Sequence, residues 1–386
     1  EELKRVDEIL QSFESENLLP KHYFETIDAD LEMLEVEDSF LNPDGYNRLR
    51  NVSETCVDVL KFISKFSLQF PNLHYRVQNT EINPAVHNKI DHILNRYGEV
   101  DDKASSNLRS IRRSLLKVRG TIGDSFTKAL ARYNSMGVLD DIKESVLENR
   151  RVLAVQAMYR KKVKGSVVGS SKTGSIVFIS PEQTLKLERE LQDLMYDEKQ
   201  EIIKILQELN RELRPYSILL KSYQEILAYI DVSVAKAKYA SAINAVLPLF
   251  PENKKLKYIN AFHPLLLEQN NSKKIETIPQ SFELNNSQSI IVISGPNAGG
   301  KSITLKTMGL LQLMIQSGVL IPVDERSSIH FFDDILTDIG DNQSIENQLS
   351  TYSYRLKNMR SFLKRCSDNT LFLIDEFGTG SDPELG

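Results

Sequence analysis

The chain has 386 residues, a net charge of −5 and 41% hydrophobic residues, so its length predicts two or three domains with apolar cores. Its two cysteines, Cys56 and Cys366, lie far apart, which argues against a disulfide framework and for a reducing compartment; no apolar run approaches the ~18 residues of a membrane span. We therefore expect a cytoplasmic protein without membrane contact.

The first predicted region, residues 1–149, is helical. Apolar residues recur there at the 3.6-residue spacing that places them on one helix face. Examples are Leu3, Val6 and Leu10 near the start, and Leu108, Ile111 and Leu115 later. The run Pro43-Asp44-Gly45 predicts a turn. We interpret this region as a helical core domain of connector or lever type.

Residues 150–181 are predicted to form a small β segment. Runs of apolar and β-branched residues alternate there with turn residues, which is typical of short strands. The predicted strands are residues 152–155, 165–169 and 175–179. The region is therefore a β insert between helical parts of the chain.

Residues 182–247 return to helix. An apolar row follows one side of the first helix: Leu187, Leu191, Leu194, Ile202, Ile205, Leu209 and Leu213. About 30 residues at 1.5 Å each predict a helix of ~45 Å, which is the length of a lever rather than of a compact core helix. Pro215 breaks this helix, and a second helix runs to about Val246. Residues 247–251 are the predicted joint into a last domain, 248–386.

The last domain contains a phosphate-binding loop pattern, G-x-x-x-x-G-K-S. The residues expected to bind ATP are Gly295, Pro296, Asn297, Ala298, Gly299, Gly300, Lys301 and Ser302. The apolar run Ile290–Ile293 predicts a buried strand before the loop, and residues 303–316 predict a helix after it. Backbone N–H groups at such a helix start favour phosphate; Lys301 can reach the β- and γ-phosphates and Ser302 can hold magnesium.

A second apolar strand, residues 371–374, ends in two carboxylates, Asp375 and Glu376. Beside the loop strand, Asp375 would lie near the magnesium ion, and Glu376 would act as the catalytic residue that orients or deprotonates water. The sequence has no guanine-reading Asn-Lys-x-Asp pattern. It therefore predicts hydrolysis of ATP, with Mg²⁺ as cofactor.

These motifs resemble the MutS family of DNA-repair ATPases within the ABC superfamily. The loop sequence Gly-Pro-Asn-x-Gly-Gly-Lys-Ser is a narrow variant that this family shares, and further similar segments follow in the family's order. They are Ala261–Leu265, Asp338–Asp341, Leu349–Ser353 and Glu376–Pro383, with Leu108–Arg113 and Gly174–Pro181 upstream. The Gly-Thr-Gly-Ser form after Glu376 resembles the second bacterial branch, whose members carry an Smr nuclease domain.

The resemblance implies a multidomain α plus α/β fold: a long helical core and lever with a small β insert, then an ABC-type P-loop ATPase domain. It implies a homodimer paired through the ATPase domains, in which Ser350 and Thr351 of one chain cap the γ-phosphate bound to the other. An ordinary helix N-cap is the alternative role for these two residues. The sequence starts without Met and stops soon after Glu376, so we expect a fragment with a truncated ATPase domain and no nuclease domain.

The expected target is nucleic acid. The chain lacks the N-terminal Phe-x-Glu wedge of mismatch-reading relatives, since its only Phe-x-Glu is Phe250-Pro251-Glu252 at the joint. We therefore expect a DNA-stimulated ATPase that acts as a dimeric clamp on branched or looped DNA, in recombination control or repair. A ribosome-associated quality-control ATPase and a structural ABC-type ATPase of chromosome maintenance remain alternatives. Glu198 interrupts the apolar row, which disfavours the long coiled coil of the last alternative.

Charge is unevenly distributed along the chain. Residues 103–132 carry eight basic residues and one acidic residue, and residues 150–164 carry six basic residues and none that is acidic. Such patches can track phosphates, with Arg109, Arg112 and Arg113 as candidate nucleic-acid contacts. Alternatively, the first patch is a helix face that packs against the acidic stretch 182–212, which has nine acidic and five basic residues.

Overall fold

The computed structural model describes residues 1–95, 97–148, 150–252, 255–295, 300–339 and 348–375, without the side chains of 348–356. The helices are α1 (Glu2–Ser12), α2 (Asp28–Glu35), α3 (Pro43–Lys65), α4 (Pro71–Val77), α5 (Ala85–Ile93), α6 (Ser106–Ser135), α7 (Glu182–Leu213), α8 (Ser217–Ala242), α9 (Pro264–Lys273), α10 (Lys301–Gln316) and α11 (Gln348–Arg365). The strands are β1 (Leu139–Leu147), β2 (Arg150–Gln156), β3 (Gly165–Ser170), β4 (Ile176–Pro181), β5 (Leu256–Ala261), β6 (Gln280–Leu284), β7 (Asp334–Asp338) and β8 (Thr370–Ile374).

The chain divides into two compact units. The first contains residues 1–22, 58–80 and 225–386, and the second contains residues 23–57 and 81–224. Each unit is therefore assembled from separated stretches of sequence. In the described part of the chain, no helix is both long and apolar enough to cross a bilayer.

The second unit contains the longest helices and an antiparallel sheet of order β1-β2-β4-β3. α7 has 32 residues, as predicted from its apolar row, and packs against the 30-residue α6. Phe126, Ala129 and Tyr133 at the end of α6 form a core with the buried residues of the sheet. The sheet contributes Val138, Leu139, Leu153, Val155, Val163, Val177 and Ile179 to this core.

Two local predictions in this unit are wrong. Residues 139–147 were expected to be helical, yet they form strand β1, because the neighbouring β2 supplies backbone partners from Leu139↔Val155 to Leu147↔Arg150. The expected turn at Pro43 is instead the first turn of α3. Proline suits that position because a first-turn N–H has no intrahelical partner and the ring already holds the helical φ.

The first unit combines α1, α4 and parts of α3 and α8 with the C-terminal α/β region. A buried carboxylate links α1 to α4: Glu8 accepts hydrogen bonds from the backbone N–H groups of Asn72 (2.8 Å) and Leu73 (3.0 Å). These donors belong to the first turn of α4, so Glu8 satisfies N–H groups that the helix itself leaves free. The C-terminal region has two small sheets, an antiparallel β5-β6 pair and a parallel β7-β8 pair.

Candidate nucleotide-binding site

The two ends of the glycine-rich loop lie together. The Lys301 ammonium donates a hydrogen bond of 2.7 Å to the carbonyl oxygen of Gly295, which closes the loop across six residue positions. The predicted ATP-binding residues between these ends, Pro296 to Gly299, lie outside the described residues. The lysine is thus held at the loop mouth, where the pattern predicts a phosphate.

Helix α10 begins directly after the loop. Gly300 has φ +82°, a left-handed conformation that glycine adopts without a Cβ clash, and its carbonyl accepts the N–H of Thr304 (3.0 Å). The first N–H groups of a helix precede its first intrahelical bond and have no acceptor within the helix itself. With roughly half a positive charge from the helix dipole, this end fits a phosphate group. Ser302 is the second helical residue and is half-buried.

The strand predicted before the loop is not present. Ile290–Ile293 has no strand conformation, and Ile290 and Val292 are 81% and 84% exposed. A parallel strand needs a neighbour that supplies hydrogen bonds, and its faces are usually covered by helices. In the described residues, the β7-β8 pair does not include this run, so the prediction of a buried strand is wrong.

A buried polar network fixes the middle and end of α10. The Tyr258 hydroxyl of β5 donates to Gln312 Oε1 (3.0 Å), and Gln312 Nε2 donates to the His330 carbonyl (2.8 Å). Gln316 pairs with Phe332 through both its Nε2 (3.0 Å) and its Oε1 (3.0 Å). Burial raises the pKa of Tyr258, so the hydroxyl stays protonated and remains a donor. The sequence motifs did not reveal this network, since no local pattern links these positions.

The predicted magnesium ligand, Asp375, follows β8 immediately. Its N–H donates to the Asp338 carbonyl (3.0 Å), which extends the parallel β7-β8 ladder by one residue. The Asp375 side chain is half-buried. β8 contacts α10 where Gly309 faces Leu373. The strand that precedes Asp375 therefore packs against the helix that follows the loop. Glu376 lies outside the described residues.

Gly309 is therefore a sensitive position. A Cβ placed on it would lie 2.6 Å from Leu373 Cδ1, so a valine, with two further methyl groups, should push α10 from β8. We expect Gly309→Val to lower the thermal midpoint, at a cost of about 1–3 kcal/mol for overpacking, and to weaken MgATP binding. Gly123→Ala is the matched control, because that helical glycine has open space around it. Equal midpoints for the two variants would contradict the contact.

Ser350 and Thr351, the residues expected to act on the partner's site, lie in α11. The helix begins at Gln348, so they are its third and fourth residues and not its N-cap, as the alternative required. They still belong to the first turn, and the N–H of Ser350, the third residue, has no acceptor inside the helix. Their side chains lie outside the described part of the structure.

His263, in the segment before the loop domain, is the N-cap residue of α9. Its Nδ1 is buried and has no hydrogen-bond partner among the described residues. Burial lowers the pKa of His263, and the Lys306 ammonium of α10 lowers it further. The ring is therefore neutral at pH 7.

The three arginines proposed for nucleic-acid contact differ. Arg112 Nε donates to Glu198 of α7 (2.7 Å), and its Nη1 binds the Asp102 carboxylate and the Val100 carbonyl. Arg112 thus has the structural role given above as the alternative. Its partner Glu198 is the residue that interrupts the apolar row of α7. Arg109 and Arg113 are exposed.

A second cationic surface lies on the sheet of the same unit. The 3₁₀ turn Ala157–Lys162, between β2 and β3, exposes Arg160, Lys161 and Lys162. The Lys162 ammonium lies 4.8 Å from the centre of the Tyr159 ring, and Met158 is 77% exposed. The 150–164 charge run pointed to this surface, but only the fold shows which of its cations face solvent. Arg150, by contrast, pairs with Glu188 of α7.

Known protein families were compared with the chain. A model of MutS domain V matches residues 291–386, which includes the loop and the carboxylate strand. An Endonuclease MutS2 from Lacticaseibacillus paracasei is 34% identical over 95% of this chain and 46% of its own length. One from Finegoldia magna is 39% identical over 75% of this chain and 36% of its own length. A Putative endonuclease MutS2 from Bacillus subtilis is 33% identical over 90% and 44%, respectively. The chain spans less than half the length of these curated relatives.

Proposed function

The chain is a member of the MutS2-type family. We propose that it is an ATPase of that family, and that ATP binding and hydrolysis control its binding of branched or looped DNA. The observation that carries the ATPase proposal is the closed loop mouth, where the Lys301 ammonium is bonded to the Gly295 carbonyl at the N-terminus of α10. A point cation at the positive end of a helix dipole suits the phosphate groups of a nucleotide.

Each residue has a proposed role in the reaction. Lys301 holds the β- and γ-phosphates, and the α10 amides bind phosphate oxygens through N–H groups that the helix leaves free. The Ser302 hydroxyl and the Asp375 carboxylate would hold Mg²⁺, which neutralises phosphate charge when bound. Glu376, one residue after Asp375, would orient the attacking water and take its proton. Asp375 is held in place through its own backbone N–H to Asp338, a bond that does not use the carboxylate.

We further propose that two chains pair through their ATPase domains. Ser350 and Thr351 lie in the first turn of α11, at the positive end of the helix dipole, and the N–H of Ser350 is among those without an acceptor inside the helix. A helix start of this kind, supplied by one chain, suits the γ-phosphate held by the other. Concentration-dependent turnover, with a specific activity that falls on dilution below the dimer dissociation constant, would support the paired site.

The nucleic-acid part of the proposal rests on solvent-facing cations in the second unit. Arg109 and Arg113 of α6 and the turn residues Arg160, Lys161 and Lys162 are exposed. Cations of this kind contact phosphates and hence bind by charge and shape rather than by base sequence. The expected target is therefore branched or looped DNA, with little distinction between matched and mismatched linear duplex.

Charge reversal tests the two cationic surfaces, on α6 and on the turn 157–162, one at a time. We expect Arg160→Glu/Lys161→Glu and, separately, Arg109→Glu/Arg113→Glu in the whole protein to weaken binding of a four-way DNA junction and to flatten its dependence on salt, by about one unit of slope per lost phosphate contact. Arg112→Ala should instead loosen α6 from α7 and lower the thermal midpoint, because it strands the half-buried Glu198.

The binding assay also tests the function. Fluorescence anisotropy with the junction, a matched duplex, a single-mismatch duplex and 70S ribosomes, in equal salt, distinguishes the targets. A higher affinity for the mismatched duplex than for the matched duplex would contradict this proposal and assign the chain to the mismatch-reading branch of the family. Tight binding to ribosomes alone would support the quality-control alternative.

A further inference from the structure

The C-terminal end of α10, opposite the loop, is held by a lysine from another helix. The Lys236 ammonium of α8 donates a hydrogen bond of 2.8 Å to the carbonyl of Ser317, the residue that ends α10, and pairs with the Glu2 carboxylate of α1. A cation at this place satisfies a carbonyl that the helix leaves free and complements the negative end of the helix dipole. Helices α1, α8 and α10 therefore meet at this lysine. We term the contact of Lys236 with Ser317 and Glu2 the α10 joint, which is distinct from the predicted joint at residues 247–251.

The backbone at the joint is shaped for this contact. Gly318 has φ +74°, and its N–H and that of Val319 bond back to Ile315 (3.1 Å) and Met314 (2.9 Å) to end the helix. A Cβ on Gly318 would lie 2.6 Å from Cδ of Glu2, because the carboxylate sits directly over this residue. Glycine is thus required both for the left-handed turn and for the close approach of Glu2.

The segments that follow the two helices are also joined. After α8, the N–H of Val246 donates to the Ile321 carbonyl (2.9 Å), and that of Leu249 donates to Ser327 (2.8 Å). The Leu249 carbonyl in turn accepts the N–H of Ile329 (2.8 Å). These backbone bonds tie the end of α8 to the chain leaving α10. A displacement of α10 along its axis must therefore move the end of α8 or break the joint.

We propose that Lys236 is a positioning residue that couples the phosphate-loop helix to α8. The inference rests on the proposed function, in which phosphate binds at the other end of α10. α10 is a single 16-residue helix, about 24 Å long, whose N-terminus carries Lys301 and whose C-terminus is bound by Lys236. α8 continues from the joint back to Ser217, and its residues 217–224 belong to the second unit. A shift that nucleotide causes in α10 thus reaches α8 through this ammonium.

The Lys236 contact is suited to coupling rather than to holding the fold. The Glu2 carboxylate is 45% exposed, so water screens its end of the pair with Lys236, and the contribution of this ion pair to the free energy of unfolding is small. Packing of the buried α8 residues Val234, Ala237 and Ala240 remains when the ammonium is removed. Removing it therefore tests transmission without unfolding the helix.

The test compares Lys236→Met, Lys236→Arg and the control Lys238→Met, which changes an exposed lysine of the same helix, in the whole protein. The affinity for a non-hydrolysable MgATP analogue is measured with and without a saturating four-way DNA junction. If the wild-type ratio is at least about 5-fold, the lower end for allosteric coupling, we expect Lys236→Met to bring it within 2-fold of unity. Lys236→Arg and Lys238→Met should keep it. The junction affinity with and without the analogue must change by the same factor.

A wild-type ratio preserved in Lys236→Met overturns the inference. A wild type that binds no MgATP, or whose ratio is unity, overturns the proposed function instead. Hydrogen exchange without any ligand then decides the inference alone: Lys236→Met should speed exchange at least 3-fold at the amides of Val246 and Leu249 and at Gly318 and Val319, and Lys238→Met should not. Unchanged exchange at these amides would show that the ammonium does not stabilise the backbone contacts between the ends of α8 and α10, and the inference would fail.

Discussion

Lys301→Ala should abolish turnover and weaken MgATP binding at least about 100-fold. A hydrogen bond to a charged group contributes about 1.5–3 kcal/mol, and two phosphate groups lose their cation at once. The same change removes the 2.7 Å bond to the Gly295 carbonyl that closes the loop. Isothermal titration with MgATP and a phosphate-release assay measure the two effects.

Lys306→Ala is the matched control for this experiment. Lys306 lies on the same helix, α10, is exposed, and follows Lys301 by five residues, which places it on a different face. It should leave turnover within about 2-fold, since Lys306 has no proposed contact with the nucleotide. Unchanged turnover in Lys301→Ala, or an equal loss in both variants, would reject the phosphate-loop assignment.

Glu376→Gln and Asp375→Asn should separate hydrolysis from metal binding. Glu376→Gln should keep MgATP affinity and slow hydrolysis at least ~10²-fold, the size of a general-base effect. Asp375→Asn should shift the magnesium dependence to higher concentration. The strand register should survive this change, because Asp375 is held through its backbone N–H to Asp338 and not through its carboxylate.

Magnesium titrations of turnover and of nucleotide binding give the readout for the pair. The expected pattern is a lower maximal rate with an unchanged magnesium midpoint for Glu376→Gln, and a raised midpoint for Asp375→Asn. Identical magnesium titrations for the two variants would show that the carboxylates do not divide these roles. Circular dichroism confirms that both remain folded.

Some features were predictable because their signals are local. The 32-residue helix α7 follows from the repeat of leucine and isoleucine along one face, and the β2 and β4 strands from short runs of Val and Ile bounded by turn residues. A helix was predicted for residues 303–316, directly after the glycine-rich motif, and α10 begins two residues earlier, at Lys301.

Other features depended on partners that lie far away in sequence. Strand β1 exists because β2 pairs with it, although residues 139–147 carry no strand alternation. Whether Ile290–Ile293 is a strand is decided by its neighbours and not by its apolar content, and in the described structure it is exposed. Arg112 is structural rather than free because Glu198, 86 residues later, faces it.

By itself, the sequence determined the family and predicted the chemistry of a nucleotide site, because the loop residues and the carboxylate pair each form a contiguous motif. Only the tertiary structure decided which cations face solvent, that Gly309 sets the distance between α10 and β8, and that Lys236 binds the end of α10. These are contacts between residues 64 to 81 positions apart. Long-range contacts of this kind form by packing against a specific neighbour, and no local pattern in the chain encodes them.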